Sequence, residues 1–226
     1  MSDFFRFPHT PHLAWLGQGA PRDDKLLSSE EVEELLAGEV VVEEKIDGAN
    51  LGISVGPDGL LRAQNRGAYL PQPYSGQFSR LSSWLGQHAH VLTDLLGDNL
   101  ILFGEWCAAK HSLDYTTLPD WFLLFDVYDR SEERFWSTSR RNNLDGALEL
   151  PEVPKLYEGK ATLALLKDLL RDSKSRYRQG SPEGIVVRKE NPLWCDARAK
   201  LVRAEFVQTI SEHWRSRQIE WNRVGP

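Results

Sequence analysis

A lysine and a carboxylate lie two residues apart in the segment Glu44-Lys45-Ile46-Asp47-Gly48, which closely follows Val40-Val41-Val42. The valine run favours a β-strand, and side chains two residues apart on a strand point to the same face. A lysine placed there could act as a nucleophile, and the carboxylate could hold a metal ion or its water shell. Such a short pattern also occurs on solvated strand ends, so its meaning depends on the rest of the chain.

The elements around this segment alternate between helical and strand patterns. Ser28 and Glu31 have capping-box spacing, and Gly38 suits the end of the helix that they begin. We predict helices over 28–38, 78–96, 138–149, 161–171 and 204–218, and strands over 39–46, 51–55, 60–65, 100–106, 121–128, 184–189 and 200–203. Strands joined by hairpins and interleaved with helices predict an α+β domain built on antiparallel sheets.

Length and composition limit the class of protein. The 226 residues suffice for one substantial core, and we expect a single domain over 1–226 with 204–226 as a short helical tail. No run of eighteen apolar residues or secretory signal is present, which predicts a cytoplasmic protein. Cys107 and Cys195 are far apart and lack partners at metal spacing, so neither a disulfide framework nor a zinc site is expected.

The charge is unevenly distributed along the chain. Residues 1–170 hold 15 Lys and Arg against 26 Asp and Glu, whereas residues 171–226 hold 12 against 7. The net charges are therefore −11 and +5, which sum to the overall −6. A basic surface on an acidic body is compatible with a polyanion that approaches one face, and equally with basic residues that solvate C-terminal helices.

Further short motifs follow the lysine in a fixed order. They are Asn65-Arg66-Gly67, Phe103-Gly104-Glu105-Trp106, Phe125-Asp126, Glu183-Gly184-Ile185-Val186-Val187 and Arg198-Ala199-Lys200. Together with the Lys-x-Asp-Gly segment, this set resembles the covalent nucleotidyltransferase superfamily of polynucleotide ligases and mRNA capping enzymes, and most closely the ATP-dependent RNA ligases. The resemblance extends from about residue 40 to 203, and it implies an ATP-grasp-like nucleotidyltransferase domain.

The resemblance also implies a reaction. Lys45 would attack the α-phosphorus of ATP and become a lysyl-AMP adduct, with Mg²⁺ or Mn²⁺ as the metal cofactor. Because an ammonium cannot attack, we expect the pKa of Lys45 to be lowered by burial and by nearby cations. Asp47 and Glu183 would bind the metal ion, and Lys200 would stabilise charge at the α-phosphate, which completes the implied catalytic set.

Other residues are assigned to the nucleotide or to RNA by the same resemblance. The implied nucleotide contacts are Glu44, Lys45, Gly48, Asn50, Arg66, Glu105, Phe125 and Lys200, and the implied nucleic-acid contacts are Arg66, Arg198 and Arg203. Gly48 would allow close approach to phosphates or ribose, and Asn50 could contact phosphate, contact a nicked strand or simply form a turn. The family has Lys-x-Lys where this chain has Arg198-Ala199-Lys200, so which of Arg198, Lys200 and Arg203 fills each basic role stays open.

Two further points concern pocket geometry and substrate. Phe125 would stack on adenine, but Phe125 and Asp126 should face opposite sides of a regular strand unless a bulge intervenes. Only 23 residues follow Arg203, which leaves no room for the oligonucleotide-binding (OB) fold that DNA ligases and capping enzymes carry there. We therefore expect an RNA ligase without an OB-fold domain that acts on 3′-hydroxyl and 5′-phosphate ends.

We then expect the basic C-terminal surface to bind RNA through phosphate contacts from Arg171, Lys174, Arg176, Arg178, Arg215 and Arg217. The segments 10–13, 22–25, 212–214 and 221–223 are also similar to small bacterial RNA-ligase-like proteins. We expect a monomer, with a possible separate partner for end healing or RNA binding. The alternatives are a minimal DNA ligase, a GTP-dependent capping guanylyltransferase, or a degenerate nucleotide-sensing or RNA-binding module.

Overall fold

The structure is a computed structural model that describes residues 4–19, 26–144, 150–209 and 219–225. Its helices are α1 (Ser29–Leu36), α2 (Leu81–Leu96), α3 (Thr138–Asn142), α4 (Leu163–Asp172) and α5 (Ala204–Thr209). Its strands are β1 (Glu39–Lys45), β2 (Ala49–Val55), β3 (Leu61–Gln64), β4 (Leu100–Trp106), β5 (Phe122–Asp129), β6 (Arg134–Trp136), β7 (Lys155–Lys160), β8 (Gly184–Glu190) and β9 (Trp194–Val202). A short 3₁₀ turn, Gly76–Phe78, precedes α2.

The described strands form one antiparallel sheet in the order β3-β2-β4-β5-β6-β9-β8-β1-β7. The α+β prediction is confirmed, with the difference that all nine strands belong to a single continuous sheet. The predicted capping box of α1 is present, since Ser28 and Glu31 exchange side-chain to backbone hydrogen bonds. The predicted hairpin between β2 and β3 is also present, and Gly59 supplies its positive φ of 72°.

Each half of the sheet has its own helical cover. On one half, α2 packs Leu81, Trp84 and Leu92 against β2, β4 and β5. On the other half, α1 and α4 pack Leu35 and Leu166 against β1, β8 and β9. Segment 150–154 hydrogen-bonds to β5 and, through the Pro154 carbonyl, to the amide of Glu44 in β1. This bridge places the end of β1 beside the β4 and β5 half of the sheet.

Some elements differ from the sequence prediction. Strands β6 and β7 were not predicted, and β9 begins at Trp194 rather than at residue 200. The first half of β9 lacks an apolar alternation because Arg198, which points inward, pairs with a buried carboxylate instead of a hydrophobic side chain. The predicted helices 138–149 and 204–218 begin as α3 and α5, but residues 145–149 and 210–218 lie outside the described residues. Outside the described residues there also lie the predicted RNA contacts Arg215 and Arg217 and the segments 22–25 and 212–214.

Within the described ranges, no helix is both long enough and apolar enough to cross a lipid bilayer.

Candidate active site

The side chain of Lys45 lies at the end of β1 beside three carboxylates. Its Nζ is 2.6 Å from Oε2 of Glu183, and Glu105 and Asp47 act on it electrostatically. The Lys45 side chain keeps 27% of its surface exposed, so it is partly open to solvent. We call these four residues the acidic cluster; its formal charge is −2 when all four are ionised.

The pKa of Lys45 does not shift in the expected direction. Burial lowers it, but attraction to Glu183, Glu105 and Asp47 outweighs burial and raises the pKa above its ordinary value. In this arrangement Lys45 is an ammonium ion. For Lys45 to act as a nucleophile, a further positive charge must lie near the three carboxylates and offset their effect on its pKa.

Close strand packing places Glu183 next to the lysine. Gly184 pairs with Lys45 in β1 and with Val202 in β9. A Cβ atom at Gly184 would lie 2.5 Å from the carbonyl oxygen of Leu201, so a larger residue would push the strands apart. Burial and the nearby Asp47 raise the pKa of Glu183, while Lys45 and Lys200 lower it, and the net shift is upward.

Glu105 enters the acidic cluster from β4. Its Oε1 accepts a hydrogen bond from the amide of Gly48 at 3.0 Å. Burial, together with repulsion from Glu183 and Asp47, raises the pKa of Glu105 to about 7, although Lys45 opposes this. A Cβ atom at Gly48 would lie 2.7 Å from the carbonyl oxygen of Trp106, so this glycine is required by the approach of β4. The structure therefore explains Gly48 by its packing against β4, whereas the sequence resemblance implied close contact with a nucleotide.

Asp47 lies in the connection between β1 and β2, because β1 ends at Lys45. Its Oδ2 accepts hydrogen bonds from the amides of Ser112 and Leu113, both at 2.7 Å. Its own amide donates to the hydroxyl of Tyr115 at 2.9 Å. The loop after β4 therefore fixes the Asp47 carboxylate.

The donor chemistry of Asp47 and Glu183 fits a magnesium or manganese ion, since both cations prefer oxygen ligands. Among the described residues, no three acidic, histidine or cysteine side chains converge at ligand distance. An ion bound here would take one or two carboxylates and fill its other positions with water and phosphate oxygens. This is the usual coordination of Mg²⁺ at phosphate-transfer sites.

Two buried acceptor atoms in β1 and β2 have no hydrogen-bond donor within the described part of the chain, namely Oε1 of Glu44 and Oδ1 of Asn50. The other Glu44 oxygen accepts from the amide of Arg176 at 3.0 Å, and burial raises the pKa of this carboxyl. Unpaired buried acceptors are costly, so these positions suit a ligand that brings hydroxyl or amino donors.

A bulge in β5 accounts for the Phe125-Asp126 pair. Asp126 pairs with Phe103 and Leu124 with Gly104, so Phe125 is the extra residue. The ring of Phe7 contacts Phe125 edge-on with centroids 5.4 Å apart, and Arg198, which lies over that same ring, binds Asp126. Both side chains therefore lie on the Phe7 side of the strand.

Asp126 belongs to a second group of charges, which we call the arginine network. Arg188 binds Asp126 at 2.7 Å and Glu190 at 2.5 Å, and Arg141 binds Glu43 at 2.5 Å. With Arg198, the network comprises three guanidinium groups and three carboxylates. Its charges are balanced, and the residues are almost completely shielded from solvent.

A known protein family and several solved structures resemble this chain. The sequence model of the RNA ligase family matches residues 38–202, a range that contains the whole acidic cluster. The chain belongs to the RNA ligase family. No curated protein matches the sequence.

Solved structures of ligases share the fold of this RNA ligase family member. A Naegleria gruberi RNA ligase with PPi superposes with a TM-score of 0.66 and 18% identity, covering 92% of this chain and 65% of that chain. An archaeal ATP-dependent RNA ligase gives 0.64 and 20%, covering 90% and 49%. A mutant of the Naegleria ligase with ATP and Mn gives 0.60 and 17%, covering 81% and 55%. The chain thus spans from about half to just under two thirds of these proteins, and at such identities the superpositions establish the fold.

The other basic residues expected from the RNA ligase resemblance have varied surroundings. Lys200 pairs with Val186 in β8, and its backbone also bonds to Pro11 and Leu13, so the predicted segment 10–13 runs beside it. Lys200 is near enough to Glu183 to lower the pKa of that carboxyl. Arg66 lies 3.3 Å from the ring of His9.

Arg198 and Arg203 are engaged within the protein. Arg198 binds Asp126 at 2.5 Å and stacks on Phe135 at 4.1 Å, and its side chain is 10% exposed. Arg203 donates to the carbonyl groups of Leu170 and Arg171 at the end of α4. These contacts compete with the predicted contacts to RNA, which stay predictions.

Several residues that shape the site were not predicted from the sequence. Ser112, Leu113 and Tyr115 hold Asp47 from 65 to 68 positions away, and the amide of Arg176 binds Glu44 across 132 positions. A contact made by a backbone amide cannot be predicted from the type of its residue. A single tyrosine likewise does not indicate a partner that far away in the sequence. Only the packed sheet brings these groups together.

Proposed function

We propose that this chain is an ATP-dependent RNA ligase that joins 3′-hydroxyl and 5′-phosphate ends through a lysyl-AMP intermediate, in RNA repair. The observation that carries the proposal is the Lys45 amine held 2.6 Å from Glu183 within a cluster of three carboxylates. One lysine among an excess of carboxylates suits a site that binds a divalent cation and a nucleotide phosphate. Membership of the RNA ligase family and the likeness to ATP-bound ligase structures support the same reaction.

In the first step, the ammonium group of Lys45 loses a proton to water, its Nζ forms a bond to the α-phosphorus of ATP, and the bond to the pyrophosphate oxygen breaks. Glu183 and Glu105 hold the amine in line, and Lys200 stabilises charge on the phosphate. Bound Mg²⁺ or Mn²⁺ would neutralise phosphate charge and offset the carboxylates that otherwise keep Lys45 protonated. Asp47 and Glu183 are the residues proposed to hold that ion.

The acceptor atoms of Glu44 and Asn50 are proposed to bind hydroxyl or amino groups of the nucleotide. Glu105 would share in ribose binding, and Phe125 would stack on the base. In two further steps, AMP passes to the RNA 5′-phosphate and the 3′-hydroxyl displaces it. Phosphoryl chemistry of this type depends mainly on positioning and electrostatics, which the acidic cluster and Lys200 supply.

RNA would approach over the loop that follows α4. Lys174 and Arg176 are exposed there, and within the described chain their side chains form no ion pair, while the amide of Arg176 bonds to Glu44. These two cations are thus available to phosphates. Arg171 and Arg178 are less suited, because each already pairs with aspartate side chains.

The proposal is tested by incubating the protein and a Lys45→Ala variant with Mg²⁺ or Mn²⁺ and α-labelled ATP or GTP. Label from ATP that survives denaturing electrophoresis and vanishes in the variant supports the adenylylation step. Label from GTP alone would favour a capping guanylyltransferase. A folded wild-type protein that takes no label with either metal would leave a nucleotide-sensing or RNA-binding module.

The labelled protein is then chased with nicked RNA, nicked DNA, a hybrid duplex or single-stranded RNA. We expect sealed product and loss of protein label with an RNA substrate that carries 3′-hydroxyl and 5′-phosphate ends. Sealing of nicked DNA with no sealing of RNA would favour the minimal DNA ligase instead.

A further inference from the structure

Residues 219–225, which we call the C-terminal strap, lie between the two arms of the loop that follows β4. On one side, the amide of Lys110 donates to the carbonyl of Glu220, and the amide of Asn222 donates to Ala108. On the other side, the amide of Arg223 donates to Tyr115, and the amides of Leu118 and Gly225 donate to the carbonyls of Arg223 and Leu118. The strap thereby joins segments 108–110 and 115–118 as a short additional strand would.

Asn222 is the buried centre of this strap, with 4% of its surface exposed. Its Oδ1 accepts from the amide of Tyr115 at 2.9 Å. Its Nδ2 donates to the carbonyls of Cys107 at 2.8 Å and Ala109 at 3.2 Å. The carboxamide therefore uses both donors and its acceptor to connect the two arms of the loop. No other uncharged side chain could supply this combination at the same length.

The same loop holds the Asp47 carboxylate. Ser112 and Leu113, at the tip between the two arms, donate their amides to Oδ2 of Asp47. Tyr115, whose amide binds Asn222, accepts a hydrogen bond from the amide of Asp47 through its hydroxyl. A continuous chain of hydrogen bonds thus runs from Asn222 through Tyr115 to Asp47, two residues from Lys45.

We propose that Asn222 is a positioning residue for the Lys45 reaction, and that the C-terminal strap sets the loop that holds Asp47. Asn222 touches neither the reacting lysine nor the other carboxylates, so it acts through Tyr115 and the amides at the loop tip. The effect of Asn222 on the reaction rests on the proposed function, whereas its effect on the structure of the loop does not. A strap that only added stability would affect unfolding without changing the site in the folded protein.

The chain offers a matched control for this distinction. Asn99 also makes three side-chain hydrogen bonds, to Asp129 and twice to Ser131, in the turn after β5 and away from the acidic cluster. Asn222→Ala and Asn99→Ala therefore remove the same side chain with the same number of bonds. Glu220→Gln is a second control, because it removes the negative charge from the exposed pair with Lys110 in the strap itself.

The experiment measures lysyl-AMP formation by the folded variants together with hydrogen exchange at the amides of residues 112 and 113. For Asn222→Ala we expect the maximal rate to fall about tenfold or more, because small misplacements at the reacting groups are costly. The KM for ATP should change by less than about threefold, as for an interaction made mainly in the transition state. The two amides should exchange faster, while Asn99→Ala and Glu220→Gln keep the wild-type rate and protection.

A wild-type rate in folded Asn222→Ala, or an equal loss in Asn99→Ala, would overturn the proposal. If Asn222→Ala does not fold, Asn222→Ser keeps an acceptor for Tyr115 and provides the same comparison. If the wild-type protein forms no adduct, the proposed function fails, and exchange at the two amides still decides whether Asn222 holds the loop. Unchanged protection in the Asn222 variant would then reject the positioning role.

Discussion

The arginine network and the acidic cluster both contain buried charges supplied by β1, and they differ in how those charges are matched. Glu43 in β1 joins a network of three carboxylates and three guanidinium groups. Lys45, two positions later, lies among three carboxylates, and a second cation, Lys200, lies near Glu183. Matched buried charges are satisfied within the protein, whereas an excess of one sign favours a ligand of the opposite sign. On this basis the arginine network is a structural group, and the acidic cluster is the group proposed to be reactive.

The largest predicted effect is on folding and concerns Arg188, the centre of the arginine network. Arg188→Ala leaves Glu190 without its guanidinium partner and leaves Asp126 with Arg198 alone. Removing one partner of a buried pair typically costs about 3–5 kcal/mol, so we expect a loss of that size in the free energy of unfolding. Urea unfolding measures it.

Arg171→Ala is the control for that measurement, because Arg171 pairs with Asp168 and Asp172 on the exposed face of α4. We expect no measurable loss there. An Arg188→Ala protein as stable as the Arg171→Ala protein would contradict the structural reading of the network.

The next effect is on chemistry and concerns Glu183 in the acidic cluster. Glu183→Gln removes the carboxylate bound to Lys45, so we expect adenylylation to slow on the order of 100-fold through loss of positioning. The free energy of unfolding should stay the same or rise, because repulsion with Asp47 is relieved.

Glu43→Gln in the arginine network should show the reverse behaviour, with lower stability and a normal rate in the folded fraction. Rates at saturating ATP and urea midpoints distinguish the two variants. A Glu183→Gln protein that unfolds easily yet adenylylates normally would remove the distinction between the two groups.

A smaller effect is the dependence of stability on pH. The pKa of Glu105 is raised from 4.5 to about 7 in the folded protein, mainly by burial. The folded state therefore binds more protons than the unfolded state over that interval, and stability falls as the pH rises from about 4.5 to 7. We expect the contribution to be on the order of 1–3 kcal/mol without metal.

Glu105→Gln tests this prediction, since the amide cannot titrate. The difference in urea stability between wild type and variant should change over that pH interval and level off above it. A constant difference would show that the Glu105 carboxyl titrates normally and that the acidic cluster is not short of positive charge.

The smallest predicted effect concerns RNA binding by Lys174 and Arg176. Changing both to glutamine should weaken RNA binding and reduce the slope of log affinity against log salt by about 1 to 2, as for one or two lost phosphate contacts. Formation of the adduct with ATP should not change. The control is Arg171→Gln, whose guanidinium is already bound by two aspartates, and an equal loss of RNA affinity there would remove the special role of the loop.

The sequence predicts the main strands well because their apolar runs are dense and end at clear turn residues. It also indicates Lys45, Glu105 and Glu183 as candidate site residues, since these side chains lie at or next to the ends of such strands. It does not reveal which carboxylates belong to which group. Glu43 and Glu44 are neighbours in the chain, yet one binds Arg141 in the network and the other binds the amide of Arg176.

The remaining features depend on contacts over long separations. The bulge at Phe125 follows from pairing with β4, which a strand pattern cannot show. Arg198 looks like a surface cation by residue type, but the fold turns it onto Asp126. The pKa of Lys45 was expected to be lowered, and it is raised because two distant segments bring Glu105 and Glu183 to it beside its near neighbour Asp47.

The most direct test of the central claim is to map the nucleotide attachment site. Wild-type protein is incubated with ATP and Mn²⁺, digested under conditions that preserve phosphoramidates, and sequenced by tandem mass spectrometry. The unmatched charge of the acidic cluster predicts AMP on Lys45 and on no other lysine. AMP on a different residue, or none on a protein shown to be folded, would contradict the assignment of this cluster as the reactive one.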